Sequence, residues 1–176
     1  MLAAEGAAPS WCGHSDTETL LAGIAHWGLD ETLCKTRGMF AIALLDRQRG
    51  RLSLARDRMG EKPLYWGWAG KALVFGSELK AIRRHSEAPS ETDREALALF
   101  LQFAYVPAPR TIHPGLFKLE PGTILGNLRE VVAEEIGGDL PVIATTTHDT
   151  PNIPNPEHFC DFLPLLKSLY FYPFLS

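Results

Sequence analysis

With 176 residues, 45% of them hydrophobic and 22% charged, the chain can form one ordinary domain or two small ones, and wholesale disorder is excluded. A formal charge of −4 leaves no basic footprint for nucleic acid, and no stretch is both apolar and long enough to span a bilayer, so neither nucleic acid nor membrane is expected as a partner. Cys12, Cys34 and Cys160 are an odd count without CxxC or CxH spacing, which points to a reduced, cytoplasmic setting rather than a disulfide scaffold. The opening MLAAEGAAPSW lacks the basic flank and long apolar core of a secretory signal.

Ser15 to His26 reads as a short helix. Ser15 and Glu18 have capping-box spacing, in which the hydroxyl accepts from a first-turn amide and the carboxylate reaches back to the cap residue. Leu20, Leu21, Ile24 and Trp27 recur at helical spacing, and Gly28 is placed to end the helix. A second short helix is expected over Glu31 to Thr36. Strand signals follow: the apolar run Met39 to Leu45, the turn DRQRG, and Leu52 and Leu54 alternating with polar neighbours. A second hairpin runs through Leu64 to Trp68, the Ala69-Gly70 turn and Ala72 to Phe75. Ser77 is expected to cap the helix ELKAIRRH, and Thr92 or Asp93 a helix over Glu95 to Phe103. Pro107 and Pro109 then impose an extended segment.

From about Gly126 the pattern changes to a helix, a Gly-Gly break and a buried strand that ends in a polar cluster. After Pro151 periodicity is lost. The whole order predicts an α+β fold, a partial αββα sandwich of antiparallel hairpins with flanking helices, followed by a short α/β segment and an irregular tail.

Most polar residues in these blocks read as structural. Arg56-Asp57-Arg58 is expected to form an internal ion pair that shapes a turn, and Trp66, Trp68 and Phe75 to be core. His14, His26, His85, His113, His148 and His158 are scattered, without the spacing of a zinc helix, so no metal site is expected. Cys12 reads as a small half-buried loop thiol. Asp16 sits where a helix dipole favours an anion, and it is also a specific partner for an ammonium group.

Four blocks occur in order: SDTE, RGMFAIALLDRQRGRLSLARDRMGEKPLYWG, FGSELKAI and YVPAPRTIHPGLFKLEPG. Together they closely resemble the later half of the glutamine-hydrolysing domain of asparagine synthetase, a class II glutamine amidotransferase. The resemblance covers about Gly13 to Leu125 and implies four regions: an irregular N-terminus (1–12), a truncated glutaminase domain (13–125), a further segment (126–150) and a tail (151–176). It also implies that Asp16 binds the α-ammonium of glutamine. Glutaminase chemistry of this class uses an N-terminal cysteine activated by its own α-amine. Leu2 follows Met1 here, and Cys12, Cys34 and Cys160 are internal. The expectation is therefore an enzyme part that is inactive alone and holds no cofactor, with ATP and Mg²⁺ belonging to the synthetase half. Glutamine is the expected ligand, and an intact synthetase subunit a partner.

A second resemblance runs through PGTILGNLREVVAEEIGGDLPVIATTTHDT, which is similar to the segment of FGGY sugar kinases, rhamnulokinase-like, that ends in a His-Asp-Thr cluster. It implies Asp149 as the matching general base. Three classes of function stay open on the sequence: part of a glutamine-dependent synthetase, a glutamine-binding or synthetase-docking remnant, and a non-functional fusion of the two families.

Overall fold

The computed structural model describes residues 1–13, 15–46, 49–126 and the backbone of 142–144. In chain order the elements are α1 (Asp16–Trp27), α2 (Leu29–Lys35), β1 (Ala41–Asp46), β2 (Arg51–Arg56), β3 (Tyr65–Ala69), β4 (Ala72–Gly76), α3 (Leu79–Ile82), α4 (Arg94–Phe103), β5 (Leu116–Lys118), β6 (Ile124–Leu125) and β7 (Val142–Ala144).

Two sheets form. One has the order β1-β2-β6 and is antiparallel throughout; the other has the order β5-β3-β4-β7, with β7 joining β4 in parallel. The alternation of side chains along each strand sorts the core into three layers. Ala41, Ala43, Leu52 and Leu54 of the first sheet meet Leu73 and Phe75 of the second, with Leu64, Leu119, Trp66 and Trp68 around them. The opposite faces are covered too. Ile42, Leu44 and Ala55 pack under Leu20 and Ile24 of α1 and Leu29 and Leu33 of α2, while Val74, Ala69 and Leu116 pack under Leu79 and Ile82 of α3. The layers therefore read helix, sheet, sheet, helix, and the fold is α+β as the hairpin pattern predicts. Burial on both faces also explains why Met39 to Leu45 is a continuous apolar run instead of an alternating one.

Local chemistry sets the helix ends. Gly28, at φ 84°, closes α1 through its N–H to the Ile24 carbonyl and opens α2 in the same residue, so α2 starts at Leu29, two residues before the expected Glu31. Asp93, not Thr92, caps α4, accepting from the Glu95 N–H (2.9 Å) and the Ala96 N–H (3.3 Å). We expect Asp93→Ala to lower the urea midpoint of the chain, costing about 1 kcal/mol as helix N-caps do.

Ser77 does not cap α3. Its hydroxyl is buried without a partner among the described residues. Glu78 holds the cap position in extended conformation without a side-chain capping hydrogen bond, its carboxylate pairing with Lys80 at 2.6 Å, and α3 is a single turn. Beyond it the amides of Arg84 and His85 reach back three residues to Ala81 and Ile82, which tightens the chain out of the α geometry expected through His85.

Candidate functional site

The strongest candidate is the mouth of α1. Ser15 Oγ accepts from the Thr17 N–H at 3.2 Å, the first half of the expected capping box. The second half differs: Glu18 accepts instead from the Cys12 N–H at 2.7 Å and the Gly13 N–H at 3.1 Å. Its carboxylate thus folds the preceding loop back onto the first turn of the helix. Asp16 is the first residue of α1 and exposed. Among the described residues its carboxylate meets no hydrogen-bond or ion-pair partner. Glu18 is engaged in holding the loop, while Asp16 opens the helix with its carboxylate unengaged among the described residues. Its position in the first turn stabilises the anion through the helix dipole. An ammonium group is the natural complement.

Among the described residues no thiol completes a nucleophilic pair here. Cys12 is exposed, not half-buried as its sequence context suggests. Cys34 is a free, exposed thiol within α2. Its backbone carbonyl accepts from Arg58 Nη2 at 2.7 Å. Asp149, Cys160, His14, His148 and His158 lie outside the described residues. Among the described residues no group of His, Cys, Asp or Glu is arranged to hold a metal ion.

The link between β2 and β3 is built differently from the expected ion pair. Asp57 is only 1% exposed. Its carboxylate accepts from the backbone amides of Met59 (3.1 Å), Glu61 (3.0 Å) and Lys62 (2.9 Å). Burial by itself pushes this carboxyl up, but backbone hydrogen bonds from Lys62, Glu61, Phe40 and Met59 outweigh it and hold the group below its ordinary value. Arg56 spends its guanidinium on three carbonyls, those of Lys62 (2.8 Å), Leu119 (2.6 Å) and Gly60 (2.5 Å). The two residues are successive in an extended chain and point to opposite sides, so they organise the turn separately. Beside this turn lies an open pocket of about 310 Å³ lined by Thr36 to Phe40, Asp57 to Met59 and Glu61. Sequence reasoning missed it, because its two walls are nearly twenty residues apart in the chain.

The scaffold that presents Asp16 matches a known family. Residues 2–135 match the glutamine amidotransferase domain, which takes in every described helix and strand except β7. The chain belongs to the glutamine amidotransferase domain family. It is similar to asparagine synthetase (glutamine-hydrolyzing) 1 of Bacillus subtilis, with 38% identity over 109 residues, 62% of this chain and 17% of that protein. Asparagine synthetase (glutamine-hydrolyzing) 3 of the same organism is 38% identical over 104 residues, 59% of this chain and 16% of that protein. The chain thus spans about a sixth of the length of these relatives. No described helix is long and apolar enough to cross a membrane.

Proposed function

We propose that this chain supplies the glutamine-holding part of an amidotransferase unit that serves an asparagine synthetase-type enzyme, with Asp16 gripping the α-ammonium of glutamine. In that enzyme glutamine hydrolysis yields ammonia for the ATP- and Mg²⁺-dependent amidation of aspartate, and the ATP chemistry resides outside the described residues. The observation that carries the reading is the carboxylate of Asp16 at the head of α1, without a partner among the described residues, on the scaffold of a family named for glutamine. The setting is cytoplasmic, and neither nucleic acid nor membrane is a partner.

Taken alone, the chain binds glutamine without hydrolysing it. The glutaminase step needs a thiol activated by an α-amine. Cys34 has its nitrogen inside a helix, and the nitrogen of Cys12 is a peptide N–H that donates to Glu18. The nucleophile is therefore supplied from outside the described residues, and the working enzyme is completed by a synthetase part.

Calorimetric titration of glutamine into the 176-residue chain tests this. Saturable binding is expected, with N-acetylglutamine excluded because it has no ammonium. Asp16→Ala should weaken binding about 10- to 100-fold, the worth of about 1.5–3 kcal/mol for a hydrogen bond to a charged group. Equal binding by wild type and Asp16→Ala would remove Asp16 from the site. Ammonia release from glutamine by the chain alone would refute its dependence on an outside nucleophile.

A further inference from the structure

The pocket beside the β2–β3 turn holds charged groups that the glutamine reading does not use. Its volume of about 310 Å³ lies at the small end of the range for ligand pockets. Arg37, Arg58 and Glu61 line it together. Arg58 is anchored through Nη2 on the Cys34 carbonyl (2.7 Å), and its other donors meet no partner among the described residues. The guanidinium of Arg37 and the carboxylate of Glu61 likewise meet none among those residues. Charges of opposite sign thus share one small pocket without pairing. The lining also includes Phe40 and two methionines, Met39 and Met59, which are 57% and 78% exposed. Methionine is flexible and polarizable, so such a surface moulds itself to an apolar group.

This lining selects a class of ligand. A divalent cation would find only Glu61, because the Asp57 carboxylate is spent on the amides of Met59, Glu61 and Lys62. A bare inorganic anion would suit the arginines, but Glu61 would repel it and the methionines would gain nothing. A zwitterion with an apolar body answers every part of the wall. We propose that this pocket binds a free α-amino acid with an apolar side chain. The ligand carboxylate takes Arg37 and Arg58, whose planar guanidinium groups match its geometry. Its ammonium takes Glu61 through a charge-assisted hydrogen bond. Its side chain lies on Met39, Met59 and Phe40. The site is separate from Asp16 and does not rest on the glutamine reading. Its two walls are nearly twenty residues apart in the chain, so the ligand ties the approach to β1 to the β2–β3 turn and stabilises the fold.

The test uses L-leucine as the probe, titrated by calorimetry into the full chain. Binding should be saturable, and leucine should raise the urea midpoint of the chain. Arg37→Gln and Glu61→Gln should each weaken it about tenfold, the low end for a hydrogen bond to a charged group at an exposed position. Both side chains are exposed, so the midpoint without leucine should stay where it is in wild type. Two analogues assign the ends of the ligand. N-acetylleucine, which has no ammonium, should bind weakly to wild type and Arg37→Gln, whereas Glu61→Gln should no longer tell it from leucine. Leucine amide, which has no carboxylate, should bind weakly to wild type, and Arg37→Gln should discriminate against it less. Absence of saturable leucine binding would overturn the proposal. N-acetylleucine binding to wild type as tightly as leucine would remove Glu61 from the site and overturn it too. So would leucine binding that Asp16→Ala abolishes, because the probe would then sit at the head of α1. None of these results bears on whether glutamine itself binds at Asp16, which the glutamine titration decides on its own.

Discussion

Replacing Asp57 with alanine should destabilise the chain by about 3 kcal/mol or more, measured as a fall in the urea midpoint at neutral pH. Three backbone amides, of Met59, Glu61 and Lys62, converge on this one carboxylate, and all of them lose their acceptor together. The peptide groups of Asp57 add structural ties, its N–H to the Phe40 carbonyl and its carbonyl to the Gly122 N–H, which links the turn to both the start of β1 and the approach to β6. Loosening the turn therefore loosens the meeting of the two sheets. Asp57→Asn would be a partial replacement. The single carbonyl oxygen of the new side chain can serve Met59 and Glu61, but its NH₂ would face the Lys62 N–H, donor against donor.

The same carboxylate gives the chain an acid-sensitive component. Its pKa is lowered in the folded state from 3.8. Above that ordinary value both folded and unfolded chains carry the ionised group, and its stabilisation is fully present. As pH falls below it the unfolded chain takes up the proton first, and stability drains until the folded group also protonates at its lower value. Wild type should lose midpoint steadily as pH falls from about 5 toward 2, and Asp57→Asn should show a shallower loss over that window. Parallel pH profiles for the two proteins would show that the three amide bonds do not set this titration.

The sequence shows some of this architecture because local and tertiary demands agree there. α1 carries a serine cap, a helical apolar stripe and a glycine stop, and each plays its expected part. β1 to β4 are legible because both faces of each sheet are covered, so apolar residues crowd segments of strand length bounded by turn residues. β5 and β6, three and two residues long, are not. Nothing local makes Leu116 to Lys118 a strand; the register with Tyr65 to Gly67 does, across some fifty positions of chain. The polar residues misled for a related reason. A serine before a helix, or an arginine beside an aspartate, suggests its nearest partner, yet Ser77 is turned inward and Arg56 and Asp57 bond to backbone supplied by the fold. At the candidate site the place of Asp16 at the head of a helix is legible in the sequence, whereas the engagement of Glu18 with the preceding loop is not, because it depends on how that loop folds back.

Gly67→Ala should be comparably damaging, and its damage should be confined to one sheet. The φ of Gly67 is 159°, at the edge of the positive range that L side chains rarely adopt, so alanine is disfavoured there by conformation. Space opposes it further. A Cβ there would lie 2.2 Å from the Gly115 carbonyl oxygen, 2.8 Å from Leu116 Cδ2 and 3.0 Å from Leu116 Cα. The nearest atom is backbone, and β5 cannot step aside cheaply. Thr111 Oγ1 donates to the Leu116 carbonyl at 2.8 Å, the Leu119 N–H reaches the Leu64 carbonyl at 2.8 Å, and the Lys118 N–H reaches the Pro109 carbonyl at 2.8 Å. Overpacking against such a fixed neighbour costs about 1–3 kcal/mol, with the upper end expected where main chain must move. The register Gly67↔Leu116 would open first, and with it the contact between Trp66 and Phe117, whose rings lie 5.3 Å apart. Hydrogen exchange at Leu116 to Lys118 should therefore accelerate in Gly67→Ala while β1 and β2 keep their protection, because the pairing of those strands does not involve β5. Uniform acceleration across both sheets would instead mean that they open as one unit. Unchanged protection in β5 would mean that the carbonyl of Gly115 is not fixed as described.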